Sequence, residues 1–186
     1  QIDEIWTNSL QLSKQIQHYT GRESRVIYPC VDTKIFSHDI SPHKENFPYF
    51  LSFSKLSYFK RIDRVIEAFW QLPDQHLILV YGDKDPDKDE LIELAREYPN
   101  IHPVRLVNNA ELPVYIRGAL ATIFIPQNED FGMVAIESMA CWTPVIGVNE
   151  WGLKETIIDG ETGILIPEWA PIDELKKAIE MMSVKS

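Results

Sequence analysis

Short apolar segments alternate with amphipathic segments along most of this 186-residue chain, and this alternation limits the possible folds more than any other feature. The apolar runs Tyr49–Ser54, His76–Tyr81, Ala121–Pro126 and Pro144–Val148 are typical of strands that are buried on both faces. Helix-like segments separate successive runs. The pattern therefore predicts an α/β fold in which helices cover a mostly parallel sheet of about six strands.

The predicted helices have apolar residues three and four positions apart, which places those residues on one helix face. The clearest example consists of Ile62, Val65, Ile66, Phe69 and Trp70. Similar patterns predict helices near 91–98, 111–118, 132–141 and 172–182, and a short strand near 101–107.

The first residues are set apart from this pattern. Trp6 is consistent with the end of a strand, Ser9–Tyr19 with a short helix, and Gly21 with the C-cap of that helix. We therefore predict that residues 1–23 are a remnant of a neighbouring domain with a linker, and that residues 24–186 form the main domain.

Charge narrows the possible partners. Lys and Arg number 18 and Asp and Glu number 28, so the net charge is −10. A field of this sign repels phosphate backbones, and we expect no nucleic-acid partner. The apolar run near Gly118–Pro126 is too short to span a bilayer. Cys30 and Cys141 lie far apart in the sequence and are interpreted as buried, reduced thiols of a cytoplasmic protein.

Ligands of open α/β sheets bind at the carboxyl ends of the strands, where this chain carries the segment PQNEDFGMVAIE. Glu129 would lie in the loop and Glu137 in the second turn of the next helix. The amides of Phe131, Gly132 and Met133 would be unpaired first-turn donors with partial positive charge. This arrangement suits a polyhydroxyl ligand that carries phosphate. Spacing alone, however, favours a simpler interpretation in which Glu129 only complements the helix dipole.

Two lysines follow the first apolar strand. Lys55 and Lys60 flank a loop that leads into a helix, and two ammonium groups at that place can neutralise a diphosphate. An isolated pair of lysines is more often solvated surface.

The acidic stretch 83–89 is similar to a metal-binding loop at first sight. A calcium loop that starts at Asp83 would need Gly and Glu where this chain has Lys88 and Leu94, so the match fails. Asp87 and Glu90 instead predict a capping box for the following helix. We expect no metal site.

Four segments, in the expected order, resemble the C-terminal domain of retaining glycosyltransferases of family four, which have the GT-B fold. They are VIYPCVDTKIF, SKLSYFKRIDRVIEAF, NEDFGMVAIESMACWTPVI and LKETIIDGETGILIP, the last of which is similar to the family's closing hairpin. The resemblance extends from Arg25 to Ile179. It implies a Rossmann-like, three-layer domain that forms the donor-binding half of a GT-B enzyme.

The resemblance also implies a function. Such hexosyltransferases, mannosyltransferases among them, transfer a sugar from GDP-mannose or a UDP-sugar to an acceptor hydroxyl, with retention and without metal or other cofactor. It connects the chain with polysaccharide biosynthesis. The acceptor-binding N-terminal domain would be missing here, so the chain alone would be inactive, and any peripheral membrane contact would come through that domain.

Site residues are implied by position. Lys55 and Lys60 match residues that hold the diphosphate, and Glu129 matches the residue that accepts hydroxyl groups of the donor sugar; these three are the catalytic candidates. The donor-binding candidates are the amides of Phe131, Gly132 and Met133, the carboxylate of Glu137 for the ribose, and Leu106 and Val107 beside the base.

Some positions depart from the family, and two alternative functions remain open. Lys55 stands where the family often has Arg, and Trp142 stands where it usually has Gly. If the position of Trp142 requires a left-handed conformation, the cost is backbone strain rather than lost chemistry. The alternatives are a nucleotide-sugar epimerase on the same fold and a non-catalytic α/β binding module. A receiver module needs an acidic cluster where this chain has Ser54 and Lys55, which argues against it.

Overall fold

The computed structural model describes residues 3–106 and 109–184. Chain order gives the elements β1 Trp6–Thr7, α1 Leu10–Thr20, β2 Arg25–Val26, β3 Tyr49–Ser52, α2 Ile62–Trp70, β4 His76–Tyr81, α3 Lys88–Arg96, β5 Ile101–Arg105, α4 Leu112–Gly118, β6 Thr122–Phe124, α5 Met133–Ala140, β7 Val145–Val148, α6 Leu153–Thr156, β8 Gly163–Ile166 and α7 Ile172–Ser183. Short 3-10 turns at Tyr58–Lys60 and Asn109–Glu111 precede α2 and α4.

Six of the strands form one fully parallel sheet with the order β5-β4-β3-β6-β7-β8. The predicted α/β class and strand number are confirmed. The strand order reverses direction between β3 and β6, and loops that leave the carboxyl ends of two such strands diverge to open a crevice. The reversal therefore marks the position where this fold binds ligands.

The apolar runs form central strands because both faces of the sheet are covered. Phe50 and Leu77 pack into a core on one face, whereas Leu51 and Ile78, one position along, pack on the other. Side chains alternate between the two faces of a strand, so a run without polar residues is stable only when helices cover both faces.

The segment before the main sheet forms a small unit of its own. β1 and β2 pair in parallel as a two-stranded sheet joined by α1. The hydroxyl of Ser9 accepts a hydrogen bond from Leu12 N at 3.1 Å, and Gly21 ends the helix at φ 69°. The helix and its C-cap were predicted at these positions. The division at residue 23 stays a prediction, and the six-stranded sheet begins at Tyr49.

Three sequence-based expectations are corrected by the structure. The segment expected to form a closing hairpin forms α6 and then β8, which runs parallel to β7 rather than antiparallel to a neighbour. Cys30 is exposed, and only Cys141 is buried. Asp87 makes no side-chain cap bond to α3, so the capping box is wrong.

Trp142, which stands where the family usually has Gly, adopts a left-handed conformation with φ 59°. Its indole is exposed and stacks on the ring of His38, with centroids 4.4 Å apart. Stacking on a neighbouring ring offsets part of the backbone strain that a bulky residue pays in this conformation. No helix within 3–106 and 109–184 combines the length and the apolar character needed to cross a membrane.

Candidate functional site

Lys60 and Glu129 meet at the point where the strand order reverses. Lys60 ends the 3-10 turn after β3, and Glu129 lies in the loop after β6. Lys60 Nζ donates to Glu129 Oε2 at 2.6 Å, and both side chains are about three-quarters buried. The ammonium group also lies 5.5 Å from the centroid of the Phe124 ring. The structure therefore brings together two of the three catalytic candidates, 69 positions apart in the chain.

Arg61, which the sequence analysis did not single out, follows Lys60 directly and bonds to the segments on either side of the Lys60–Glu129 pair. It is 4% exposed and adopts a left-handed conformation at φ 53°. Its Nη1 donates to the carbonyls of Ile125 and Pro126 at 3.2 and 3.1 Å, and to Glu150 Oε1 at 2.9 Å. One guanidinium thus ties the turn that carries Lys60 to the end of β6 and to the loop after β7. No motif marked Arg61, because its partners lie 64 to 89 positions away.

Lys55 is exposed on a loop whose backbone is held by acidic side chains. The carboxylate of Asp85 accepts from the amides of Leu56 and Gly82, each at 3.1 Å. Asp87 accepts from the amide of Tyr58 at 3.0 Å. Two carboxylates of the stretch that is similar to a metal loop thus position the lysine loop. Within the described ranges, no group of three or more His, Cys, Asp or Glu side chains is placed to hold a metal ion.

The amino end of α5 lies beside Glu129. Gly132 adopts φ 95°, and a Cβ built there would stand 2.5 Å from Leu153 Cδ2, so only glycine fits. In the described part of the chain no side chain caps α5. The helix starts at Met133 with Gly132 as its N-cap, so of the three predicted donors only Met133 lies in the first turn, and Phe131 precedes the helix. The first-turn amides form the positive end of this eight-residue helix. Phe131 is buried and Met133 is half-buried.

Glu137 lies one turn further along α5. Burial raises the pKa of its carboxyl above the usual value, because desolvation penalises the charged form. Among residues 3–106 and 109–184, no donor pairs with this carboxylate. An unpaired, half-buried carboxylate is costly, and a ligand that supplies hydroxyl donors removes that cost.

A further cavity opens where β3, β4 and β5 end. Its volume is about 170 Å³, and Ser54, Lys55, Gly82 and Leu106 are part of its lining. The Ser54 hydroxyl is buried and has no hydrogen-bond partner among residues 3–106 and 109–184. Leu106, the predicted neighbour of the base, therefore lines a cavity next to Lys55. Val107 lies outside the described residues.

Comparison with known proteins identifies the family. The profile of the family described as "Glycosyl transferases group 1" matches residues 33–183. This chain is a group 1 glycosyltransferase chain. The match includes the Lys55 loop, the Lys60–Glu129 pair and α5.

Curated relatives agree with this family. A D-inositol 3-phosphate glycosyltransferase of Acidothermus cellulolyticus is 28% identical over 194 residues, which cover 88% of this chain and 42% of that protein. The alpha-1,3/1,6-mannosyltransferase alg-2 of Neurospora crassa is 28% identical over 198 residues, with 81% and 42% covered.

Solved structures share the fold. Sucrose-phosphate synthase from Thermosynechococcus elongatus is similar with a TM-score of 0.85 and 28% identity, over 99% of this chain and 50% of that one. The Anabaena protein HepE in complex with UDP-glucose gives a TM-score of 0.82 at 20% identity, over 98% and 54%. The expected fold class, that of one half of a GT-B enzyme, is confirmed. The chain spans about half the length of these relatives, or less.

Proposed function

We propose that this chain binds a nucleoside diphosphate sugar at the carboxyl ends of β3, β4 and β6 and acts as the donor-binding, C-terminal half of a retaining hexosyltransferase. The observation that supports this most is the pairing of Lys60 with Glu129 beside the uncapped amino end of α5. A cation for phosphate, a carboxylate for sugar hydroxyls and a helix end for an anion lie within one crevice.

Each group has a role in this proposal. Lys60, Lys55 and the amino end of α5 face the diphosphate, on which negative charge grows as the glycosidic bond breaks. Positive groups fixed at that place lower the barrier and need no metal ion. Glu129 accepts hydroxyl groups of the donor sugar, and Glu137 accepts those of the ribose. The base occupies the cavity lined by Ser54 and Leu106.

The family and two of the relatives support the donor class that we propose. One structural neighbour holds UDP-glucose, and one relative is a mannosyltransferase. We therefore propose a UDP-hexose or GDP-mannose as donor. In this proposal the other half of the enzyme binds the acceptor that carries the attacking hydroxyl. The lengths of the matched relatives, about twice that of this chain or more, support such a second half. In this proposal residues 1–23 belong to that half and its linker.

Calorimetry tests the donor site directly. The chain should bind UDP or GDP and the corresponding nucleotide sugar, and binding should be the same with and without EDTA. Lys60→Met should weaken the nucleotide by about 1–3 kcal/mol, since one charge-assisted contact is lost. Lys176→Met, on α7 beside Gln71, is the matched control and should leave affinity unchanged. Absence of binding to every nucleotide would contradict the proposal, and loss in EDTA would contradict its metal-free part.

A further inference from the structure

Glu155 connects the segment before the main sheet to the main domain. Its Oε2 accepts from the amide of Leu10 at 2.9 Å, and its Oε1 from the amide of Gln11 at 2.8 Å. The Tyr28 hydroxyl donates to the same carboxylate at 3.0 Å. We call these three hydrogen bonds the Glu155 clamp. The carboxylate lies at the positive end of α1, where its charge is stabilised by the helix dipole.

The Glu155 clamp is connected through the backbone to the loop that carries Glu129. Glu155 belongs to α6, which starts directly after Gly152. Gly152 N donates to Glu129 O at 2.9 Å, and a Cβ at Gly152 would stand 2.2 Å from the carbonyl oxygen of Asp130. The start of α6 and the loop that carries Glu129 therefore touch backbone to backbone, so a shift of one disturbs the other.

Tyr28 makes a second connection to the same loop. Its ring lies 5.7 Å from the ring of Phe131, at an angle of 31°. Partial desolvation and the hydrogen bond to Glu155 raise the pKa of the Tyr28 phenol, so it keeps the proton that it donates. One tyrosine thus contacts both the Glu155 clamp and the residue before Gly132.

We propose that Glu155 is a positioning residue that couples the placement of residues 3–28 to the donor-sugar loop, residues 127–132. The inference rests on the proposed function, because it assigns the donor sugar to that loop. Residues 3–28 precede the region matched by the family profile, and in the proposed function most of them belong to the acceptor-binding half. Through the clamp, binding of the donor sugar favours one placement of that half. Because such coupling is reciprocal, that placement of the half also favours binding of the donor sugar.

Hydrogen exchange of the ligand-free chain tests the clamp without any nucleotide. In Glu155→Gln the amides of Leu10 and Gln11 should exchange about tenfold faster, because a charged acceptor is lost. The amides of Gly152 and Ala135, which bond to Glu129 O and Gly132 O, should also exchange faster. Amides of β4 should be unchanged. Faster exchange at Leu10 and Gln11 alone would show that Glu155 only stabilises α1, and would overturn the proposal.

Ligand linkage gives a readout that a purely structural role would not move. Addition of UDP-glucose or GDP-mannose, whichever the chain binds, should slow exchange at Leu10 and Gln11 in the unsubstituted chain more than UDP or GDP alone does. In Glu155→Gln this difference should disappear. No slowing by the nucleotide sugar in the unsubstituted chain would overturn the coupling. A chain that binds no nucleotide would contradict the proposed function, while the ligand-free exchange would still decide the clamp.

Two further variants complete the test. Glu168→Gln breaks an exposed 3.3 Å ion pair with Lys154, which lies next to Glu155 on α6. This variant should change neither readout. Tyr28→Phe removes one of the three hydrogen bonds and keeps the ring on Phe131. It should act in the same direction as Glu155→Gln with a smaller effect, and it keeps the test available should Glu155→Gln not fold. An effect of Glu168→Gln equal to that of Glu155→Gln would overturn the assignment to Glu155.

Discussion

At the scale of single residues, the site combines one paired and one unpaired carboxylate. Glu129 accepts from Lys60 at 2.6 Å, whereas Glu137 has no donor among the described residues and its pKa is raised by desolvation. Substitution of the two groups should therefore have different effects, although both belong to one motif and lie only eight positions apart. The paired group already has its partner, and the unpaired group has most to gain from a ligand.

Substitution should separate the two roles. Glu137→Ala should weaken the free nucleotide by about 1–3 kcal/mol, because the ribose loses charged acceptors. Glu129→Ala should leave the free nucleotide unchanged or slightly tighter, because Lys60 is released to the phosphates, and should weaken only the nucleotide sugar. Asp130→Ala, at the exposed neighbour of Glu129, is the control. Titration calorimetry measures both ligands; equal losses for free nucleotide in the two variants would contradict the assigned roles.

Glu137 should also make stability depend on pH. Its folded pKa lies above the ordinary value of 4.5, so the folded state binds the proton more tightly than the unfolded state. The free energy of unfolding should therefore fall as pH rises from that value through the folded pKa. Glu137→Gln should remove this loss and be the more stable chain above the window. Urea unfolding at several pH values measures the effect, and parallel curves for the two chains would refute it.

At the scale of elements, the amino end of α5 depends on the packing of α6. Gly132 meets Leu153 of α6, and Gly152 before α6 meets Asp130 in the donor loop. The Lys55 loop is held in a similar way by Asp85 and by Asp87. Each loop to which our proposal assigns ligand contacts is thus held by a second segment of the chain, which keeps the loop backbone in place.

Two glycines with similar backbone angles allow this dependence to be measured. Gly132 has φ 95° and contacts Leu153, whereas Gly160 has φ 79° and open space around it. Gly160→Ala should cost about 1–2 kcal/mol of stability from backbone strain alone. Gly132→Ala should cost more and should also abolish donor binding. Chemical denaturation and calorimetry give the two numbers, and equal costs with intact binding would show that the contact is unimportant.

At the scale of the whole molecule, the chain spans about half the length of its relatives, or less, and its proposed site lies on one side of a crevice. Placing an acceptor hydroxyl against the anomeric carbon is worth about 7–11 kcal/mol of a barrier. In our proposal the groups that do this belong to the other half. Donor binding and sugar transfer should therefore separate in this chain.

Transfer should accordingly be slow or undetectable although the donor binds. Radiolabelled UDP-glucose or GDP-mannose with a simple sugar or lipid acceptor measures transfer, and release of free sugar measures hydrolysis. The Glu129→Ala variant provides the background. Rapid turnover by this chain alone would show that its own residues, or a second copy, complete the site.

Much of this fold could be predicted from local patterns. α2 was predicted from Ile62 to Trp70 and β4 from His76 to Tyr81, and both occupy those ranges. Some strands are shorter than the apolar runs that predicted them, as Thr122–Phe124 within Ala121–Pro126 shows. The closing hairpin, taken from the family resemblance, was wrong, because the segment forms α6 and then β8, which is parallel to β7.

The sequence alone determined most of the elements, their order and the family, because periodicity and motif spacing depend on neighbours within a few positions. Only the tertiary structure decided which loops meet: Lys60 with Glu129, Arg61 with Glu150, and Glu155 with the start of α1. These contacts join residues 69 to 145 positions apart. They depend on where the ends of parallel strands come together in space, and no local pattern carries that information.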